Sequence, residues 1–530
     1  VVLPCVQRDG EGQKHGLTCI VADWQSQEIF AMRVGRLPLC GLLFAASSLC
    51  LHGFAQQMSP TVAEYVAVNN LDRTILLDHV RVIDGTGAAP LENRTVVIMN
   101  SQIAAIIPAG ETFQCGDCFP FEHLDLTGDT VFPGIVGMHD HMYYIARPDA
   151  DGERHSQPPL LVPQMTFSAP RLYLAAGVTT LRTTGSVEPY TDLNLRREID
   201  ARHLPGPHMD VTGPYLEGAG SPFIQMHQLR GPRDATDFVD YWMDQGVSSF
   251  KAYMNITRGE LKAAIDAAHD RGLKVTGHLC SVTYPEAAEL GIDDLEHGFF
   301  VNTQLDPGKK PDVCPPTAGT PTLEAMDPNG PEATALIKLL VDHHVAVTST
   351  LPVFESDGDG HPPLEQRVLD AMTPQAREAY LYARNTQSTP PPGRERQAVN
   401  QRRLNFLRGE QLERKFVAAG GLLLAGPDPT GDGHVLPGFG DQREIELLVE
   451  AGFTPVEAIR IATLNGAIYM KREGQIGSIE PGKNADLVVV KGDPSKRIED
   501  IENVRMVFKD GTGYDSAKLL ASVKGRYGQY

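Results

Sequence analysis

At 530 residues the chain is longer than one ordinary domain, and length alone suggests roughly two to four. Its 42% apolar content is that of a globular chain with a sizeable core. The formal net charge of −20 argues against nucleic acid or an anionic membrane surface as the main partner.

The chain begins with Val1 rather than Met. Arg33 and Arg36 precede an apolar run, Leu37 to Leu51, which closes on Gly53-Phe54-Ala55 before Gln56-Gln57. A charged start, a short apolar core and a small-residue end are the pattern of a secretory signal peptide. The run is short for a membrane span. Signal peptides begin at the initiator, which makes Met32 the expected start, 32–55 the signal, and residues 1–31 upstream sequence read through in error. The expected location is therefore outside the cytoplasm, periplasmic or secreted, with no membrane contact after processing. Export decides how the cysteines read. Cys5, Cys19, Cys40 and Cys50 would be lost, and Cys115-Gly-Asp-Cys118 is expected to close a small structural disulfide. For Cys280 and Cys314 both the free and the paired state stay open.

Residues 70–130 hold β-branched runs between turn signals, such as Thr74–Ile83 and Thr95–Met99. Similar runs return at Ala485–Val490 and Val504–Phe508, so one small β-sandwich domain is expected from both ends, 70–130 and 466–515, with a tail at 516–530. The middle, 131–465, alternates short apolar strands with amphipathic helices, as parallel βα units do. Eight strands are predicted: Val131–Met138, Val178–Thr184, Met209–Thr212, Ser249–Met254, Lys274–His278, Asp294–His297, Ala346–Thr350 and Leu422–Ala425. That number fits an α/β fold of the (β/α)8 TIM-like barrel type. Thr257 with Glu260, and Thr454-Pro455 with Glu457, mark helix starts. The stretches 301–331 and 351–410 exceed ordinary loops and are expected to cover the substrate.

A barrel of this kind carries its chemistry at the C-terminal ends of its strands. His139 and His141 sit there, on one face by strand alternation, and Asp140 points away. Lys251 lies in strand four, His278 and His297 end strands five and six, and Asp428 follows strand eight. Singly each has a bland reading: a bonded structural histidine, a solvated lysine, a turn aspartate. Four histidines and an aspartate in barrel order make one rim of metal-type ligands, suited to zinc and related divalent ions. An ammonium at Lys251 is no ligand. A buried, neutral amine can instead add CO2 and give an anionic carbamate able to bridge two ions.

These motifs, from Pro133-Gly-Ile-Val-Gly-Met-His-Asp-His141 through Phe250-Lys-Ala-Tyr253 to Ala462-Thr-Leu-Asn-Gly-Ala467 and Gly477–Val488, resemble the amidohydrolase superfamily of metal-dependent hydrolases over roughly 70–515. The strand-four lysine resembles its binuclear branch, including secreted dipeptidase and carboxypeptidase-like members. The resemblance implies that His139, His141 and Asp428 hold one metal and His278 and His297 a second, with carboxylated Lys251 between them. It further implies a bridging hydroxide that attacks a carbonyl, with Asp428 as general base and acid. The expected substrate is a small molecule with a C–N bond, a dipeptide or N-acyl amino acid. A cyclic amide, lactone or ester is the second reading, and a non-catalytic ligand-binding barrel a distant third. Tyr143, Arg182 and Tyr253 are candidates for substrate contacts, Arg182 through a substrate carboxylate; Tyr144 and His434 are weaker ones. A homo-oligomer stays open.

Overall fold

The computed structural model describes residues 20–22, 29–31, 58–70, 72–116, 118–145, 162–221, 223–355, 364–387, 395–429 and 435–528. The expected signal segment 32–55 and His434 lie outside these residues. They fall into two compact units. In the first, β1 (Ile20–Ala22) pairs antiparallel with β2 (Ile29–Ala31). The second, Met58–Tyr530, holds the remaining elements. Among the described residues no helix is long and apolar enough to cross a membrane.

The second unit opens with six strands: β3 (Val66–Val68), β4 (Thr74–Val82), β5 (Leu91–Met99), β6 (Gln102–Pro108), β7 (Phe121–Asp125) and β8 (Asp129–Pro133). Eight parallel strands follow in two ladders. The first runs β11 (His208–Val211), β10 (Val178–Thr183), β9 (Ile135–Asp140). The second runs β12 (Ser249–Ala252), β13 (Lys274–Gly277), β14 (Asp294–Glu296), β15 (Ala346–Ser349), β16 (Leu423–Ala425). A parallel bridge, Thr212 to Ser249, joins them on one side. On the other, the Asp428 amide donates to the His139 carbonyl at 3.0 Å, bringing the chain beyond β16 against β9. This is a TIM-barrel-like α/β arrangement, read as ladders of three and five strands rather than one unbroken ladder. Helices on its outside start where capping predicts: Thr257 and Glu260 cap Arg258–His269, and Thr454 and Glu457 cap Pro455–Arg460.

The chain then returns to the first sheet with β17 (Leu487–Lys491), β18 (Val504–Lys509) and β19 (Thr512–Asp515). The order is β3-β19-β18-β17-β8-β4-β5-β6, with β7 beside β4. The expected sandwich is thus one continuous nine-stranded sheet, because β17 pairs with β8 and ties the two chain ends together. Alternation does the packing. Leu487 and Val489 join Ile75, Leu77, Val96 and Ile98 in the sheet's own core, whereas Val488 and Val490 face the barrel core.

Two expectations need correction. The predicted first barrel strand, Val131–Met138, is two strands of two sheets: β8 pairs with β17, and β9 pairs with β10. The chain changes sheets at Gly134, where a Cβ would fall 2.0 Å from Thr179 Oγ1, so only glycine fits the passage. The stretch 351–410 is mostly helical in its described residues, with helices at Leu351–Glu355, Gln366–Ala371, Pro374–Gln387 and from Glu395 to Ala418. Long polar helices with few apolar residues read as loop in sequence. Both Cys115–Cys118 and Cys280–Cys314 are paired.

Candidate metal centre

The residues singled out at the strand ends meet. His139 is in β9 and His141 one residue beyond it, with ring centroids 5.3 Å apart. Lys251 is in β12, and its Nζ lies 3.0 Å from His139 Nε2. His278 directly follows β13 and His297 directly follows β14, their rings 4.4 Å apart. Asp428 Oδ1 lies 3.2 Å from His141 Nε2 and 3.5 Å from His139 Nε2. Two of these residues depart from regular backbone: His297 has φ 68° and Asp428 φ 55°. Left-handed backbone at non-glycine residues is costly and concentrates at functional sites. At His297 it breaks strand alternation, so that Glu296 and His297 both reach the barrel interior.

The orientation of His139 is set from behind. Its Nδ1 is 2.7 Å from Glu296 Oε2, so Nδ1 carries the proton and Nε2 presents a lone pair to Lys251 and Asp428. Glu296 is itself held, accepting from Arg182 Nη2 at 2.9 Å and from the Thr276 hydroxyl. Tyr173 holds His141 by its backbone, accepting from the amide at 3.1 Å and donating to the carbonyl at 2.9 Å. His297 Nδ1 is 2.9 Å from Thr350 Oγ1.

Burial and charge agree with a cation site. Burial pushes His139, His141 and His278 down, His278 to about 3, so all three are neutral imidazoles with a lone pair to offer. Burial also lowers Lys251, easing access to its neutral amine. Burial would raise Asp428, yet positive charge on its neighbours His139, His141 and Lys251 would hold the carboxyl below its ordinary range, a service that a bound cation would equally render. His139, His141 and Asp428 each place a ligand atom within 4.8 Å of the others. His141 Nδ1 and Asp428 Oδ1 are buried and accept no well-directed hydrogen bond. Lone pairs and a carboxylate gathered without protons between them are what a divalent cation satisfies, so the donor set fits one. The other His/Asp cluster among the described residues, His208 with Asp486 and Asp510, includes a direct ion pair, His208 to Asp510 at 3.1 Å.

A cavity of about 210 Å³ opens onto this centre, lined on one side by His141, Lys251, His278, His297 and Asp428. Tyr143 and Tyr253 border it: Tyr143 stacks on His141 at 4.4 Å, and Tyr253 packs edge-on to His278 at 5.1 Å. Tyr144 instead packs on Tyr527. Arg182 is corrected. It does not line the cavity; it is buried beneath, bound to Asp294 at 2.7 Å, to Glu296, and to the Met138 carbonyl at 2.9 Å. A cation at that depth serves the fold of the barrel floor. No described residue of the two long stretches 301–331 and 351–410 lines the cavity, although Phe354 packs edge-on to His297 at 5.8 Å. Its walls away from His278, His297 and Asp428 come from the ends of β9 to β12 and the loops after them. Tyr215, Val187, Phe223 and Met226 belong to those walls and carried no sequence signal, because an apolar loop residue looks the same whether it lines a cavity or not. Glu296 carried none either, because its role depends on His139, 157 positions away.

Residues 435–513 match the family model described as Amidohydrolase family. Adenine deaminase 4 of Rhizobium meliloti (strain 1021) is 35% identical over 88 residues, 15% of this chain and 15% of that protein. The chain spans only 10% to 15% of the length of the curated relatives it matches. Among solved structures, a Xaa-Pro dipeptidase with bound methionine in the active site shares the fold at a TM-score of 0.60 and 22% identity, over 84% of this chain and 99% of that one. Bottromycin amidohydrolase does so at 0.61 and 21%, over 88% and 94%.

Proposed function

We propose that this chain is an exported, metal-dependent hydrolase of C–N bonds that cleaves the amide of a dipeptide or an N-acyl amino acid. The observation that carries the reading is the Glu296–His139 pair, which aims a buried imidazole lone pair at Lys251 and Asp428 beside a cavity. The match of residues 435–513 to the amidohydrolase family model and a fold shared with a Xaa-Pro dipeptidase support it.

In this reading His139, His141, His278, His297 and Asp428 would hold two divalent ions, zinc foremost, and Lys251, once carboxylated by CO2, would supply a further anionic ligand. Such ions supply Lewis acidity and a water acidic enough to act near neutral pH. The side chains do the rest. Glu296 and Tyr173 keep His139 and His141 in place, so little reorganisation is needed at the moment of reaction. Asp428, ionised, takes a proton from the attacking water and passes it to the departing nitrogen. The water oxygen bonds to the carbonyl carbon as the C–N bond breaks, and acid and amine leave. Tyr143 and Tyr253, whose phenols burial holds protonated, are placed to orient the substrate.

The test is a substrate panel on zinc- and bicarbonate-loaded protein. N-acyl amino acids and Xaa-Pro or Xaa-Arg dipeptides are set against hydantoins and lactones. Turnover of the linear amides is expected, and turnover confined to the rings would sink the reading.

A further inference from the structure

The cavity has two unlike sides. The ligand-type residues His141, Lys251, His278, His297 and Asp428, at the ends of β9, β12, β13, β14 and β16, form one. The other is a wall of Ile145, Val162, Val187, Phe223 and Met226, drawn from separate loops near the ends of β9, β10 and β11. These five form a cluster of their own around Tyr143 and Tyr215. None belongs to the cores that hold the barrel or the sheet together. Loops converge their apolar side chains at a cavity mouth, away from a core, when a ligand supplies the missing half of the contact.

We propose that this wall is a specificity pocket for an apolar side chain, so that one of the two residues flanking the scissile amide must be aliphatic or aromatic. The inference rests on the hydrolase reading above and narrows it. An apolar substituent placed here leaves water for contact with five carbon side chains. A carboxylate or ammonium there would lose its hydration and receive nothing from those five in return. The wall lies on the β9–β11 side of the centre, so it selects on one side of the bond and leaves the other side to the rest of the cavity.

The experiment is a dipeptide matrix in which each position is in turn Gly, Leu, Asp or Lys, hydrolysed by the metal-loaded full chain. At one position kcat/KM should rise by about tenfold or more from Gly to Leu, and fall by about a hundredfold or more from Leu to Asp or Lys. Met226→Lys, on a half-buried loop position, should cut the Leu-over-Asp ratio at least about tenfold, and Val187→Asp should cut the Leu-over-Lys ratio likewise. Circular dichroism checks that both variants fold. The proposal is overturned by a wild type with no apolar preference at either position, or by variants that keep the wild-type ratios. A chain that cleaves none of the dipeptides and no N-acyl amino acid defeats the hydrolase reading separately. Calorimetric titration with the same dipeptides then reads the wall alone: tighter binding of Leu over Asp at one position upholds it, and equal affinities overturn it.

Discussion

Glu296→Gln exchanges a carboxylate for an amide of the same shape at the one residue that orients His139. In the native site one oxygen accepts from His139 Nδ1 at 2.7 Å and the other from Arg182 at 2.9 Å. Both contacts are fully buried, so no water replaces what is lost. A hydrogen bond to a charged group contributes about 1.5–3 kcal/mol net. At 1.36 kcal/mol per decade that is about a 10- to 150-fold change, close to the roughly 10- to 100-fold cost of losing a ligand's supporting partner. Zinc affinity, read by competition with a chromophoric chelator, should therefore fall about 10- to 100-fold, with circular dichroism unchanged. Asp294→Asn is the control. It touches the same Arg182, at 2.7 Å, but not His139, and should lower stability more than it lowers zinc affinity. A Glu296→Gln protein with wild-type zinc affinity would refute the idea that this carboxylate sets the site.

Three further outcomes are expected. Lys251→Ala should lose more than the roughly 100-fold activity that removal of a supporting residue costs, and short carboxylic acids, standing in for the carbamate, should restore part of it; unchanged activity would remove Lys251 from the bridging role. Arg182→Met should destabilise the fold by about 3–5 kcal/mol in urea denaturation, because it strands Asp294 and Glu296 without their buried partner; a higher KM with no loss of stability would return Arg182 to substrate binding. For His208, burial pulls the pKa down, but its contacts with Asp200 and Asp510 outweigh that and raise it. A histidine whose pKa rises on folding stabilises fully below its unfolded value of about 6.5 and loses that contribution as pH rises through the folded value. The stability gap between wild type and His208→Gln should accordingly be larger at pH 5.5 than at pH 9, and equal gaps would dissolve the ion pair.

How far the sequence carried can be argued from particular residues. The strand ends were legible because short β-branched runs stop close to Gly, His or Pro: Val178–Thr183, Lys274–Gly277 and Ala346–Ser349 fall within a residue of expectation. The convergence of His139, His141, Lys251, His278, His297 and Asp428 was legible because strand order alone places their ends on one rim. What failed depends on depth and on pairing. Arg182 stands in a strand like the others, and nothing local says whether a strand residue points to the mouth of a barrel or its floor; Asp294 and Glu296, over 100 positions away, decide it. Val131–Met138 is one apolar run with two partners, and only the β8–β17 pairing shows that it crosses from one sheet to another. The left-handed turns at His297 and Asp428 have no signature in residue type, since neither is glycine.

The central claim is a pair of divalent ions held by this cradle. Purification in the presence of zinc and bicarbonate, followed by metal analysis by inductively coupled plasma mass spectrometry, tests it directly. The account predicts about two ions per chain, falling in Lys251→Ala and Glu296→Gln. Fewer than about one ion per chain under those conditions would contradict it.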